Sequence, residues 1–230
     1  MTTSNSYNSD IEETISKRHN IVWNYRASGD GRLTVGHPFS TLAFAMMLGE
    51  LVVGSSTPVP NRATYLILKA WREDGIFRLA PSGKLYPCYM ATTARILCRS
   101  RYANDCRLKK IFNHLLEIQH NYGGWRYKKF SFGRGPETEF PNPVPKLVVL
   151  DSFRFTQLFN KDDHLDRAVE FLLDHWVTRK PIGPCHFGIG TLFMKVEYPF
   201  FRYNIFSMYT CSLFMTEQRV IKDSSIRLGF

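Results

Sequence analysis

Several absences bound this 230-residue chain. Its five cysteines, Cys88, Cys98, Cys106, Cys185 and Cys211, are odd in number and include no C-x-x-C pair. That argues against a disulfide framework or a zinc knuckle and makes reduced thiols the default. The first 20 residues carry no apolar run of the secretory kind, so the expected location is the cytoplasm. Leu192–Met215 is the most membrane-like stretch, yet it holds Lys195, Glu197, Pro199 and Arg202. A spanning helix needs about 20 mostly apolar residues, so no transmembrane segment is expected. There is no P-loop, no Rossmann glycine fingerprint, no H-E-x-x-H and no G-x-S-x-G. Dense blocks of Lys and Arg are also missing. The net charge of +10 is scattered along helical faces, as at Arg101, Arg107, Lys109 and Lys110, and reads as a solvated basic surface. Nucleic acid is therefore not an expected partner.

What the chain does have is rings and helical periodicity. Hydrophobic residues make up 44% of it and aromatics 14%, with 18 Phe and 11 Tyr, enough for a real core or an apolar pocket. Residues 1–10 are polar and expected to be flexible; residues 11–230 suit a single domain. A short helix is predicted over Ile11–Tyr25, with Asp10 as its cap. Ser40 caps a second, carrying Leu42, Phe44, Ala45, Leu48 and Leu51–Val53, and Pro60 opens a third that runs to about Arg72. Tyr89–Arg99 is the next helix. Asp105 or Asn104 then caps one whose stripe is Leu108, Ile111, Phe112, Leu115 and Leu116. After the long polar stretch Arg126–Val144 come a helix over Lys146–Phe159, a capping turn at Lys161–Asp163, and a helix through Leu165–Trp176. Pro199 opens the last, through Ile205, Phe206, Tyr209, Leu213 and Phe214.

These helices repeat. Gln119-His120-Asn121-Tyr122-Gly123-Gly124-Trp125 closes one hairpin. A slide of 48 residues puts Trp71 on Gln119, Gly75 on Gly123 and Phe77 on Trp125; a slide of 57 puts Leu165, Leu172, Leu173 and Trp176 on Leu108, Leu115, Leu116 and Gln119. Periods near 50 predict an all-α stack of about three to four hairpins.

Gln119–Trp125 and the repeats about it resemble the Gln-…-Gly-x-Trp motif of terpenoid cyclases and protein prenyltransferases, over roughly Leu42–Phe214. The resemblance implies a partial α/α toroid, with inner helices around an aromatic cavity and each Gln/Trp pair joining one hairpin to the next. Having fewer hairpins than a complete ring, the chain is expected to stay open or to be completed by a second copy. The implied ligand is an isoprenoid or other apolar molecule; the alternative is a non-catalytic interaction protein that keeps only the fold. The cyclase Asp-x-Asp-Asp acid is absent, since Asp162-Asp163 reads as a turn and cap. By the same resemblance Cys88 falls at the zinc thiolate of prenyltransferases, but Tyr86 and Asn204 stand at the Asp and His positions, so neither metal nor cofactor is expected.

The candidate catalytic residues are Glu197 as a general acid, Asp151 on the 146–159 helix, and the thiol–imidazole neighbours Cys185 and His186. Each has a structural alternative: Glu197 at a helix N-terminus, Asp151 in an i, i+3 pair with Arg154, and Cys185-His186 packed in a loop. Candidate ligand-binding residues are Tyr86, Cys88, Tyr89, Tyr198, Tyr203 and Tyr209, with Arg154 and Arg202 as cationic groups; Arg154 suits a diphosphate. A carbohydrate-active toroid would need two carboxylates roughly 5–9.5 Å apart, for which Glu139 and Glu197 are conceivable. Whether the chain is an enzyme is left open by these residues.

Overall fold

The computed structural model describes residues 9, 12, 16, 40–50, 58–72, 77, 87–125, 142–182, 188–195 and 203–227. Among them are eight α-helices and no strand: α1 (Thr41–Glu50), α2 (Pro58–Lys69), α3 (Pro87–Leu97), α4 (Cys106–Glu117), α5 (Pro143–Phe153), α6 (Asp166–Thr178), α7 (Thr191–Met194) and α8 (Ile205–Arg227). The all-α expectation holds. Ser9, Glu12 and Ser16 are helical; the rest of the helix predicted over Ile11–Tyr25 and its Asp10 cap lie outside the described residues.

Local capping chemistry sets most of the starts. Ser40 Oγ accepts from the Ala43 amide at 3.3 Å and opens α1. Asp105, not Asn104, caps α4: its Oδ1 accepts from the Arg107 amide at 2.9 Å, and both carboxylate oxygens bind the Arg107 guanidinium. That hydrogen-bonded guanidinium holds the Asp105 carboxyl below its ordinary value. Asn142 Oδ1 accepts from Val144 N at 3.0 Å, so α5 starts three residues before Lys146. Pro143 is tolerated there because a first-turn residue has no intrahelical N–H bond to lose. Asp162 Oδ1 accepts from His164 N at 2.9 Å and starts the 3-10 turn Asp163–Leu165 that leads into α6. Asn204 Oδ1 takes the Ser207 amide at 2.8 Å, placing the start of α8 at Ile205 rather than Pro199.

Two helix ends differ from the periodicity. Between α3 and α4 the chain makes a π-turn over Cys98–Tyr102, with Arg101 at a φ of 72°. The helix predicted over Lys146–Phe159 stops at Phe153 and continues as turns to Lys161.

The chain divides into two compact units, and the division falls within α3 and α4. In the first, Met1–Leu85 with Thr92–Ile111, α1 packs on α2 and α2 on the π-turn. Leu48, Ala63 and Ile67 are fully buried there, and Arg95 pairs with Glu50. Trp71 and Phe77 form an antiparallel bridge, with ring centroids 5.0 Å apart, edge to face. These are the two residues that the 48-residue slide lays on Gln119 and Trp125.

In the second unit, Tyr86–Ala91 with Phe112–Phe230, α5 packs on α6 and α8, and α6 on α8. Helix α5 is buried on nearly every face, its polar Lys146, Asp151 and Ser152 included. Phe112 packs against Phe153 at 5.0 Å and Phe159 at 5.6 Å. Of the aligned pair Leu172-Leu173, only Leu172 is buried; Leu173 is exposed.

Candidate functional site

The Gln119–Trp125 turn is the most tightly built feature of the second unit. The chain reverses through Gly123 N to His120 O (2.7 Å) and His120 N to Gly124 O (2.8 Å). Gly123 has a φ of 79°, a conformation that disfavours any residue with a Cβ. A Cβ there would also sit 2.5 Å from the Arg167 carbonyl carbon, because the turn lies directly on the α6 backbone. Gln119 Nε2 donates to Gly123 O at 3.2 Å and to His164 O at 2.9 Å, so one amide binds its own turn and the entry to α6. Arg167 Nη1 returns a bond to Asn121 O at 3.1 Å. Trp125 is 1% exposed, and its indole donates to Leu115 O at 2.7 Å, which satisfies a buried N–H on the preceding helix. The motif ties the end of α4 to the start of α6.

Lys146 completes this joint, and the sequence reading did not single it out. It is fully buried, a lysine within the apolar run Val144-Pro145-Lys146-Leu147-Val148-Val149-Leu150. Its Nζ lies 3.2 Å from the centroid of Phe171 on α6 and 5.2 Å from that of Tyr122, and donates to Tyr122 O at 3.4 Å. Cation–π attraction of about 2 kcal/mol for a desolvated pair opposes a desolvation cost of several kcal/mol for a buried ion. Desolvation wins, and the amine is brought down from 10.5 to about 6. The signal that was available is a single cation with no polar neighbour on either side.

The candidate residues are employed as follows. Asp151 is buried on α5 and its Oδ1 meets Arg154 Nη1 at 3.1 Å, the i, i+3 pair. The Arg154 guanidinium also lies 5.4 Å from the Phe155 ring and 5.7 Å from that of Phe214 on α8, while its buried Nε has no hydrogen-bond partner. Tyr203 is buried, and its hydroxyl binds His175 Nδ1 at 2.6 Å. His175 Nε2 reaches Lys180 O at 3.1 Å; a carbonyl only accepts, so Nε2 carries the hydrogen and Nδ1 accepts from the phenol. Burial pushes the Tyr203 phenol above its ordinary range. His175 was not a candidate either, although it continues the buried α6 stripe of Leu165, Ala168 and Leu172.

Cys88 and Tyr89 are half-buried in the first turn of α3, and Tyr209 is 61% exposed on α8. Asn204, at the position that resembles a zinc ligand, spends its side chain capping α8. Among the described residues no three His, Cys, Asp or Glu side chains converge as a metal site, and Cys88, Cys98, Cys106 and Cys211 form no disulfide with one another. Burial lifts the Cys98 thiol to about 12, which leaves it unreactive. Tyr86, Glu139, Cys185, His186, Glu197, Tyr198 and Arg202 lie outside the described residues, as does the 126–141 stretch. Among the described residues no helix is long and apolar enough to cross a membrane.

Comparison with models of known families, with curated proteins and with solved structures gives no match.

Proposed function

We propose that this chain is a non-catalytic helical-hairpin interaction module, a partial α/α toroid that resembles the prenyltransferase and squalene-cyclase type in fold only. The observation that supports this reading is where the polar candidates are spent. Asp151 is held by Arg154, the Tyr203 hydroxyl by His175, and Asn204 by the start of α8. These are framework roles. A catalytic acid or nucleophile needs instead to reach a reacting atom. Rings that an apolar cavity would need are packed on one another, as with Phe112 and Phe153, or Phe193 and Tyr203 at 5.0 Å. On α8, Phe206, Tyr209 and Leu213 are more than one-third exposed at i, i+3, i+7 spacing, which suits contact with another protein, a second copy that completes the ring included.

One observation favours a second reading, an isoprenoid or other apolar ligand with an anionic head. The Arg154 Nε is buried without a hydrogen-bond partner, and the guanidinium stands beside two aromatic rings. Thermal denaturation with farnesyl and geranylgeranyl diphosphate separates the two. A ligand at 100 times its Kd stabilises the folded state by about 2.7 kcal/mol. The interaction-module reading predicts no shift. A shift that Arg154→Gln abolishes would replace it with the ligand reading.

A further inference from the structure

The joint at Gln119–Trp125 rests on a cation that has nowhere to put its charge. Lys146 Nζ has one carbonyl, at 3.4 Å, and two aromatic faces about it, and it makes no ion pair among the described residues. The side chain is fully enclosed, and its Cε lies against the turn, 2.8 Å from where a Cβ on Gly124 would be. Among the described residues no carboxylate is placed to answer protonation while the turn stays closed.

We propose that Lys146 is a proton-operated latch: its neutral amine holds the Gly-Gly-Trp turn closed on α5 and α6, and proton uptake by that amine releases the turn. The ionisable side chains described on the packed elements are Asp151 on α5, His120 and Tyr122 in the turn, Asp166, Arg167, Glu170, Asp174 and His175 on α6, and Tyr209, Cys211 and Glu217 on α8. Asp151 pairs with Arg154, and none of these carboxylates forms an ion pair with the amine. Arg167, bonded to Asn121 O, adds positive charge to the same joint. The His120 ring lies tilted against that of Tyr122, centroids 4.5 Å apart, and is the second ionisable group of the turn itself that the test must separate from Lys146.

The depressed lysine fixes the direction. The closed form binds its proton only near pH 6, whereas an opened lysine does so near 10.5. Between those values the open form holds one more proton, so opening becomes more favourable as pH falls, by about tenfold per unit. Below about 6 both forms are charged and the dependence ends.

Amide exchange of His120 and Gly123 in the full-length protein, corrected for intrinsic rate, reads this opening constant. Expected is a rise of about a hundredfold from pH 9 to pH 7, kept in His120→Asn and absent in Lys146→Met. An opening constant independent of pH in the wild type, a slope that persists in Lys146→Met, or one lost in His120→Asn would overturn the proposal. Should Lys146→Met not fold, lysine labelled with 13C at Cε in the wild type decides. One resonance titrating near pH 6 supports the latch, and all of them titrating above pH 10 would rule it out.

Discussion

Gly123→Ala is the substitution whose consequence follows most directly from geometry. At a φ of 79° an alanine loses about 1–2 kcal/mol to the clash between its Cβ and its own carbonyl. The new methyl would then lie 2.5 Å from the Arg167 carbonyl carbon and 2.6 Å from its oxygen. Van der Waals contact for carbon is about 3.5–4 Å, so the turn and α6 must separate by about 1 Å. Overpacking of this kind costs about 1–3 kcal/mol. Relief by that movement also weakens the Gln119 bond to His164 O and the Arg167 bond to Asn121 O. The expected loss is about 2–5 kcal/mol in all, which for a chain of this size lowers the unfolding midpoint by roughly 5–15 °C. Gly190→Ala is the internal control: a Cβ there meets nothing within 4 Å, and its φ is −122°. It should change stability by no more than about 0.5 kcal/mol. Urea and thermal denaturation of both variants make the test. If Gly123→Ala unfolds within 1 kcal/mol of the control, the turn does not press on α6 and the argument fails.

Three further outcomes follow from the same contacts. Trp125→Ala should cost about 3–5 kcal/mol in urea denaturation, as for any large buried ring, and Trp125→Phe about 1 kcal/mol or more because the Leu115 carbonyl loses its donor. Asp105→Ala should cost about 1 kcal/mol at neutral pH through loss of the α4 cap. Because the Asp105 carboxyl is held below its ordinary value, its contribution is present above that value and is lost as pH falls through the folded one; the deficit of the variant should therefore vanish in acid. Lys146→Met should be more stable than the wild type by about 2–4 kcal/mol at pH 7, since methionine carries no proton to exclude. With a lysine depressed from 10.5 to about 6, the wild type gains stability as pH rises through that window. The advantage of the variant should shrink between pH 7 and pH 10, and denaturation at both ends checks the sign.

The features legible in the sequence are those built from neighbours along the chain. Ser40, Asp105 and Asp162 announce helix starts because a cap needs only its own side chain and an amide two or three residues on. The stripe Leu108, Ile111, Phe112 and Leu115 is buried as its spacing requires. The Gly-Gly-Trp joint is readable for the same reason: its reversal is local, and only glycine accepts the conformation at position 123. Asn142 falls in the polar stretch Arg126–Val144 that reads as a loop, although a proline in a first helical turn, as at Pro143, interrupts no bond.

Tertiary structure decided the rest. Nothing in the spacing of Lys146 says that Phe171, 25 positions on, will close over its amine, yet the burial to which that contact belongs sets its charge. His175 and Tyr203 are 28 residues apart and meet because α6 carries the imidazole to a residue two places before α8. Asp151 and Arg154 are an i, i+3 pair in sequence, but burial of α5 against α8 is what brings the Phe214 ring to the guanidinium. Caps, stripes and the glycine turn are determined by the chain's own few nearest residues. The state of a buried ionisable group depends on what packs around it, and only the folded second unit supplies that.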